Sequence, residues 1–218
     1  MTIEHHPDEA LLLDYASGAL TEGWSLAIAS HLAICPPCRK LSSQLDVIGG
    51  QFLSTVSARS GAESDYASVV AQLDNAPEEN SSLEARQSAG TPFLPEPLRG
   101  YVGGDVEELH WRRLGLGAYQ FVVPMGGVQE TARLLRIPAG QPVPEHTHNG
   151  RELTLVFAGA FEDVTGRYGR GDFQEADENI KHRPYAVAGE DCICLAVTDA
   201  PLRFSNTAAR IVQPFLGI

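Results

Sequence analysis

Three short stretches of this 218-residue chain carry side chains that could do chemistry together. The first is His31-Leu-Ala-Ile-Cys35-Pro-Pro-Cys38, an H-x3-C-x2-C cluster. On a helix, His31 and Cys35 stand at i and i+4, so their side chains share a face. Cys38 follows just past a Pro-Pro break, where a turn can bring its sulfur back to the same point. Thiolates and imidazoles are donors that tetrahedral zinc favours, and zinc takes four. The fourth should come from a His or Cys elsewhere, and His5 and His6 are the only other candidates before residue 110. His6, directly before Pro7 and the first helix, is the favoured one. Such a site would pin the N-terminal arm to the turn between the second and third helices. The bland alternative is a pair of ordinary thiols beside a surface histidine.

The second stretch is His146-Thr-His148-Asn-Gly-Arg-Glu152. Residues at i and i+2 on a strand point to one side, so the two imidazoles would stand together. Glu152 follows a turn at Asn149-Gly150 and begins the next strand, and its carboxylate could join them inside a barrel. The third stretch is Cys192-Ile-Cys194-Leu-Ala-Val, an alternating strand whose two thiols face one way. Same-face neighbours on one strand lie near the upper Cα separation for a disulfide, so an unstrained bond between them is not expected. They read as two small buried hydrophobes, or as a candidate redox pair near the second cluster.

The elements that would position these groups differ along the chain. Asp8 to Leu20 has an acidic first turn and apolar residues at helical spacing. Thr21 is a plausible N-cap for a second helix carrying Trp24, Ala27, Ile28, His31 and Leu32. Pro36-Pro37 ends that helix and opens a third, since Pro is tolerated in a first turn. Leu41, Leu45, Ile48, Phe52 and Val56 then line one face, interrupted at Gly49-Gly50. A fourth short helix is predicted from Asp65 to Leu73, capped by Ser64 or Asp65. From Asn75 to Pro97 the chain is rich in Pro, Ser, Glu and Ala, which is linker composition. Beyond it come short β-branched runs between Gly and Pro: 120–123, 131–137, 153–157, 186–187 and 192–197. Strands at that spacing predict a β-sandwich or barrel. The predicted architecture is therefore α + β with two domains: a small helical bundle over residues 1–75, a linker over 76–97 and a β-barrel over 98–218.

Composition narrows the function. The formal net charge is −12 and the sequence pI about 4.9. Residues 1–88 hold 4 basic and 12 acidic residues, for −8. Binding to nucleic acid needs clustered Lys and Arg at the phosphates, so direct DNA contact is not expected, least of all from the helical half. An anionic membrane surface is disfavoured for the same reason, and a basic protein partner is favoured. No apolar stretch approaches the ~18 residues of a membrane span. The N-terminal residues lack the basic and apolar regions of a signal peptide, so a cytoplasmic location is expected. No internal repeat is evident. His110, before Trp111-Arg112-Arg113, reads as a surface or core histidine on an early strand, and Arg39-Lys40 as a solvated helix start.

Family resemblances add to this reading. A short acidic helical unit with an early His, then H-x3-C-x2-C, resembles the zinc-binding anti-sigma domain. That domain binds a group IV (extracytoplasmic-function type) sigma factor and blocks its docking to core RNA polymerase. The stretch from Gly140 to Gly159, with His146, His148 and Glu152 between, resembles the first cupin motif. Gly171-Asp172 followed by His182-Arg-Pro184 resembles the second, which makes His182 the fourth ligand of a jelly-roll cupin metal site. Three His and a Glu suit Zn, Mn, Fe, Ni or Cu, and Zn2+ is the expected divalent ion. The pairing of the two halves resembles the ChrR-type anti-sigma factors. That resemblance implies a non-enzymatic transcriptional regulator forming a 1:1 heterodimer with its sigma factor, Zn2+ in the helical domain, and a cupin that responds to singlet oxygen and related oxidative stress. In the family the last helix of the zinc domain contacts the sigma factor, here Val69, Val70 and Leu73, which could otherwise pack on the helical core. The competing reading is a metal-dependent cupin enzyme, dioxygenase- or isomerase-like, with an accessory zinc domain, in which Glu145, Arg151 and Tyr185 could line a pocket.

Overall fold

The computed structural model describes residues 2–57, 63–74, 92–115, 117–127 and 130–205. By contacts the chain falls into two units, Met1–Asp46 with Phe93–Ile218, and Val47–Pro92. The helical start of the chain therefore groups with the β-strands. Most of the stretch read as a linker lies outside the described residues, but Leu94, at its end, is buried in the core.

Helix α1, Glu9–Ala16, begins where the Asp8 carboxylate accepts the Leu11 N–H at 2.6 Å. It stops four residues before Leu20 because Gly18 turns to φ +71, a left-handed conformation that ends a helix at little cost to Gly. Helix α2, Glu22–Ile34, buries Trp24, Leu26, Ala27, Ile28, His31 and Leu32. Helix α3, Pro36–Thr55, runs through Gly49-Gly50 without the interruption read from the sequence. Gly lowers helix propensity by roughly 1 kcal/mol against Ala, a cost that long helices tolerate. Leu41 and Leu45 on α3 pack against the core.

Helix α5, Glu96–Val102, was not anticipated; it starts on Pro95 and closes on Gly103 at φ +76. The strands that follow are β1 Arg112–Leu114, β2 Ala118–Val122, β3 Thr131–Ile137, β4 His146–His148, β5 Glu152–Ala158, β6 Ala160–Asp163, β7 Gly166–Gly169, β8 Phe173–Ala176, β9 Tyr185–Ala186, β10 Cys192–Thr198 and β11 Leu202–Phe204. Six of them form one antiparallel sheet in the order β1-β2-β3-β10-β5-β8. Two smaller sheets, β11-β4 and β7-β6-β9, complete the β-structure.

The large sheet is apolar on both faces. Its inner face places Ile137, Val156, Cys192 and Cys194 against Phe161, Tyr168 and Ala186 of the β7-β6-β9 sheet and its flank. Its outer face presents Ala132, Leu134, Leu153, Leu155, Phe157, Leu195 and Val197, which share one core with Leu11, Leu12, Ile28, Leu94 and Leu98. Alternation along β5 and β10 sends successive side chains into two different cores. That is why residues 155–158 and 192–197 read as unbroken apolar runs.

Helix α2 approaches this sheet closely. A Cβ on Gly23 would stand 2.9 Å from Cγ1 of Val197 and 3.1 Å from Cβ of Glu130. Around it, the Glu22 carboxylate accepts the N–H groups of Gly126 at 3.2 Å and Gly127 at 2.7 Å. The Thr21 hydroxyl bonds the Glu130 carboxylate and does not cap its own helix. Arg151 lies over the Trp24 ring. The N-terminal arm is held as firmly. The Asp172 carboxylate accepts the N–H groups of Glu4 at 2.7 Å, His5 at 3.0 Å and Gly169 at 2.8 Å. Phe173 donates its N–H to the His5 carbonyl at 3.1 Å. Gly171, at φ +92, leaves room for Ile3, whose side chain would meet a Cβ at 2.7 Å.

In the second unit, α4 spans Glu63–Asp74, close to the predicted 65–73. Val47, Ile48, Phe52, Leu53 and Val56 of α3 and its end, and Tyr66, Val69 and Leu73 of α4, are exposed, while Val70 is half-buried. No helix among the described residues is long and apolar enough to cross a membrane.

Two tests follow. Gly23→Val should destabilise the chain by about 1–3 kcal/mol through overpacking against Val197, and Gly23→Ala by less, in denaturant titration. Asp172→Ala should cost at least about 2 kcal/mol by leaving covered N–H groups without an acceptor, with faster hydrogen exchange at Glu4, His5 and Gly169. Burial pushes the Asp172 carboxyl up, but the N–H groups of His5, Gly169 and Glu4 hold it below the usual carboxylate range. Its stabilisation is therefore full above the unfolded carboxyl value of about 4 and is lost as pH falls below it. Asp172→Ala should flatten that part of the acid-unfolding curve.

Candidate functional site

The described residues hold two groups of side chains whose donor atoms lie within 4.8 Å of one another: His6, His31, Cys35 and Cys38, and His146, His148 and His182. The first is assembled by the ends of three elements. His6 precedes Pro7 and the Asp8 cap of α1. His31 lies in the last turn of α2, one turn before Cys35. Cys35 is the C-cap of α2 at φ −111 and ψ 100, extended as a residue before Pro should be. Cys38 sits in the first turn of α3. Arg39 donates to the last carbonyls of α2, Leu32 at 2.7 Å and Ala33 at 3.1 Å, and so fixes the α2–α3 corner.

Nδ1 of His6 lies 3.4 Å from the Cys35 sulfur and 3.3 Å from the Cys38 sulfur. His5 points elsewhere, its ring 4.5 Å from that of Tyr168. His31 is fully buried and neither ring nitrogen has a hydrogen-bond partner. Burial pushes His31 down to about 4, and His6 adds to this. Burial, and then the Cys35 sulfur, push the Cys38 thiol up to about 12. A neutral imidazole with two orphaned nitrogens beside two buried sulfurs suits a soft cation, which replaces the thiol protons when it binds.

The second group lines the barrel interior. Strand β4 places His146 and His148 on one side, and a bridge between His146 and His182 brings in the third ring. Nε2 of His182 lies 3.0 Å from Nε2 of His146 and 3.1 Å from Nε2 of His148. The outer nitrogens fix the tautomers. Nδ1 of His146 faces the Pro144 carbonyl at 2.8 Å, and Nδ1 of His182 faces an Asp163 carboxylate oxygen at 2.6 Å. Both acceptors require a proton on Nδ1, which leaves lone pairs on the facing Nε2 atoms. Burial, foremost, pushes His146 and His148 down to about 4. Three converging imidazoles, two of them held on their far sides by a carbonyl and a carboxylate, are what a metal ion fits.

Glu152 stands beside this group and not within it. Its carboxylate is 4.0 Å from Nδ1 of His148, which has no hydrogen-bond partner, and accepts the Thr154 hydroxyl at 3.1 Å. Burial raises the Glu152 carboxyl. Cys192 and Cys194 are buried free thiols on the same inner face, and Cys194 is pushed up by a hydrogen bond with the Cys192 thiol and by burial. His110 is exposed and precedes β1. Glu145, Arg151 and Tyr185 are engaged at the surface, with Lys181, Glu175 and Glu162 respectively.

Sequence reasoning missed Asp163 and Gln174. Burial raises the Asp163 carboxyl, but donation from His182, Thr165 and Gln174 outweighs it and holds the group well below the usual carboxylate range. In sequence, Asp163-Val-Thr-Gly is only a turn signal between β6 and β7, and its partners are 11 and 19 residues away.

Residues 100–201 match the ChrR cupin-like domain family. Over its full length, the chain is 47% identical to all of the anti-sigma-E factor ChrR of Cereibacter sphaeroides. Among solved structures, that of Rhodobacter sphaeroides SigE in complex with the anti-sigma ChrR aligns with a TM-score of 0.79 at 45% identity, covering 91% of this chain and 100% of that one. With the helical and barrel parts both matched end to end, this chain belongs to the ChrR family of anti-sigma factors.

Proposed function

We propose that this chain is an anti-sigma factor of the cytoplasm that binds and inhibits a group IV sigma factor, one to one, without touching DNA. The observation that carries this is the end-to-end match, at 47% identity, to a relative named as an anti-sigma-E factor. A related structure is a complex with SigE. The exposed apolar residues of the second unit support it. Phe52, Leu53, Val69 and Leu73 are 53% exposed or more. Large apolar side chains at helical spacing make anchors for a partner, and the −8 charge of residues 1–88 complements a basic one.

In this reading His6, His31, Cys35 and Cys38 hold Zn2+. The ion supplies the positive charge that lets two buried thiolates and the arm residue His6 remain together. His146, His148 and His182, with Glu152 as oxygen donor, hold a second divalent ion, zinc by preference. Functionally, residues 1–75 are the sigma-binding domain, 76–97 a linker and 98–218 the sensor. The cupin part lowers affinity for the sigma factor under oxidative stress such as singlet oxygen, with Cys192 and Cys194 as its redox-sensitive thiols. A tenfold release needs only about 1.4 kcal/mol of weakened binding.

Co-purification of the full chain with the group IV sigma factors of its source, with elemental analysis, tests this. A 1:1 complex that suppresses transcription and carries two metal ions per chain is expected. Cys35→Ser or Cys38→Ser should lose one ion and the inhibition together; retained inhibition without zinc would overturn the role of that site. Val69→Asp and Leu73→Asp should weaken sigma binding at least about tenfold with unchanged metal content and unfolding temperature. Failure to bind any sigma factor with both ions present would turn the cupin toward an enzymatic role.

A further inference from the structure

The two clusters are joined by a short run of contacts through β8. Nδ1 of His182 and Nε2 of Gln174 both bond the same oxygen of Asp163, at 2.6 and 2.9 Å. Gln174 is buried, and also donates to the Thr165 hydroxyl at 2.8 Å. The residue before it, Phe173, lies on the opposite side of the strand. Its N–H bonds the carbonyl of His5, and its ring meets that of His31 edge-on at 5.7 Å. Asp172, one residue earlier, holds the N–H groups of Glu4 and His5, next to His6. Successive residues of one strand therefore touch the surroundings of both clusters, since β side chains alternate between faces.

We propose that Gln174, through Asp163 and β8, couples the two clusters, so that occupation of the histidine cluster sets how firmly the Cys35/Cys38 cluster keeps its ion. This rests on the reading that both clusters take a metal, and does not depend on the sigma factor. The physical basis is competition at one carboxylate oxygen. A cation on the far side of the His182 ring makes its N–H a stronger donor to Asp163 and weakens the competing bond from Gln174. Gln174 is part of β8, so a shift in its position is passed to Phe173 and Asp172, and from them to His31 and the arm carrying His6. Gln174 and Asp163 are positioning residues here. By linkage the effect is reciprocal: an ion in the sulfur cluster alters binding at the histidine cluster by the same factor.

The test uses the full chain loaded with Zn2+ and follows iodoacetamide alkylation of Cys35 and Cys38 by peptide mass spectrometry. Between one and two equivalents of zinc, the alkylation rate should change by about fivefold or more, the lower end of ordinary coupling between sites. His148→Ala, which leaves Asp163 and Gln174 in place, should reproduce the one-equivalent rate. In a Gln174→Met background, which keeps side-chain bulk and removes the donor, the second equivalent should leave the rate unchanged. Equal rates at one and two equivalents in the unmodified chain, or an equal change with and without Gln174, would overturn the coupling. A chain that saturates at one zinc would overturn the two-metal reading beneath it.

Discussion

The outer face of the six-stranded sheet is the constraint from which the rest of this structure follows. Seven apolar side chains on it, from Ala132 to Val197, must be kept from water. At roughly 25 cal/mol per Å2 of apolar surface, leaving them bare would outweigh the net stability of an ordinary domain. Helix α2 provides the cover, with α5 packed against it. Gly23 is where the fit is closest, because any side chain there would collide with Val197. Once α2 lies on the sheet, its C-terminal end and the turn into α3 are fixed, and with them His31, Cys35 and Cys38. The sulfur cluster is thus placed by packing of the barrel as well as by its own ligands.

That arrangement changes what the N-terminal arm does. Residues 3–6 run against the turn at 169–173: Glu4 and His5 donate their N–H groups to Asp172, and the His5 carbonyl accepts from Phe173. His5 and His6 are neighbours with different roles: one ring lies on Tyr168, while the other faces two sulfurs. Adjacent residues of an extended segment point to opposite sides, so a single pinned strand of backbone serves the barrel with one and the cluster with the next.

Legibility in the sequence tracked distance along the chain. The H-x3-C-x2-C and H-x-H-x3-E spacings lie within a few residues, where helix and strand periodicities fix geometry, and His182 came through a motif that resembles a known one. The helices of the N-terminal part and the main strands were legible for the same reason. Asp163 and Gln174 were not, because their relation to His182 exists only after β6, β7 and β8 have folded together. Helix α5 was missed because seven residues beginning Glu-Pro and ending before Gly carry too little periodicity to stand out from a linker. The union of the helical start with the barrel did leave a trace. Leu26 adds a buried position outside the predicted face of α2, and residues 155–158 and 192–197 are apolar without alternation, patterns of elements covered on both sides.

The shared core also bears on what separation of the two halves would mean for the cell. Lifting α2 from the sheet bares Leu134, Leu153, Leu195 and Val197 on one side and Leu12, Ile28 and Leu32 on the other. Such surfaces are what chaperones and proteases recognise in damaged proteins. A chain pulled apart at this seam would be marked for destruction by the act of opening, so opening it would be hard to reverse.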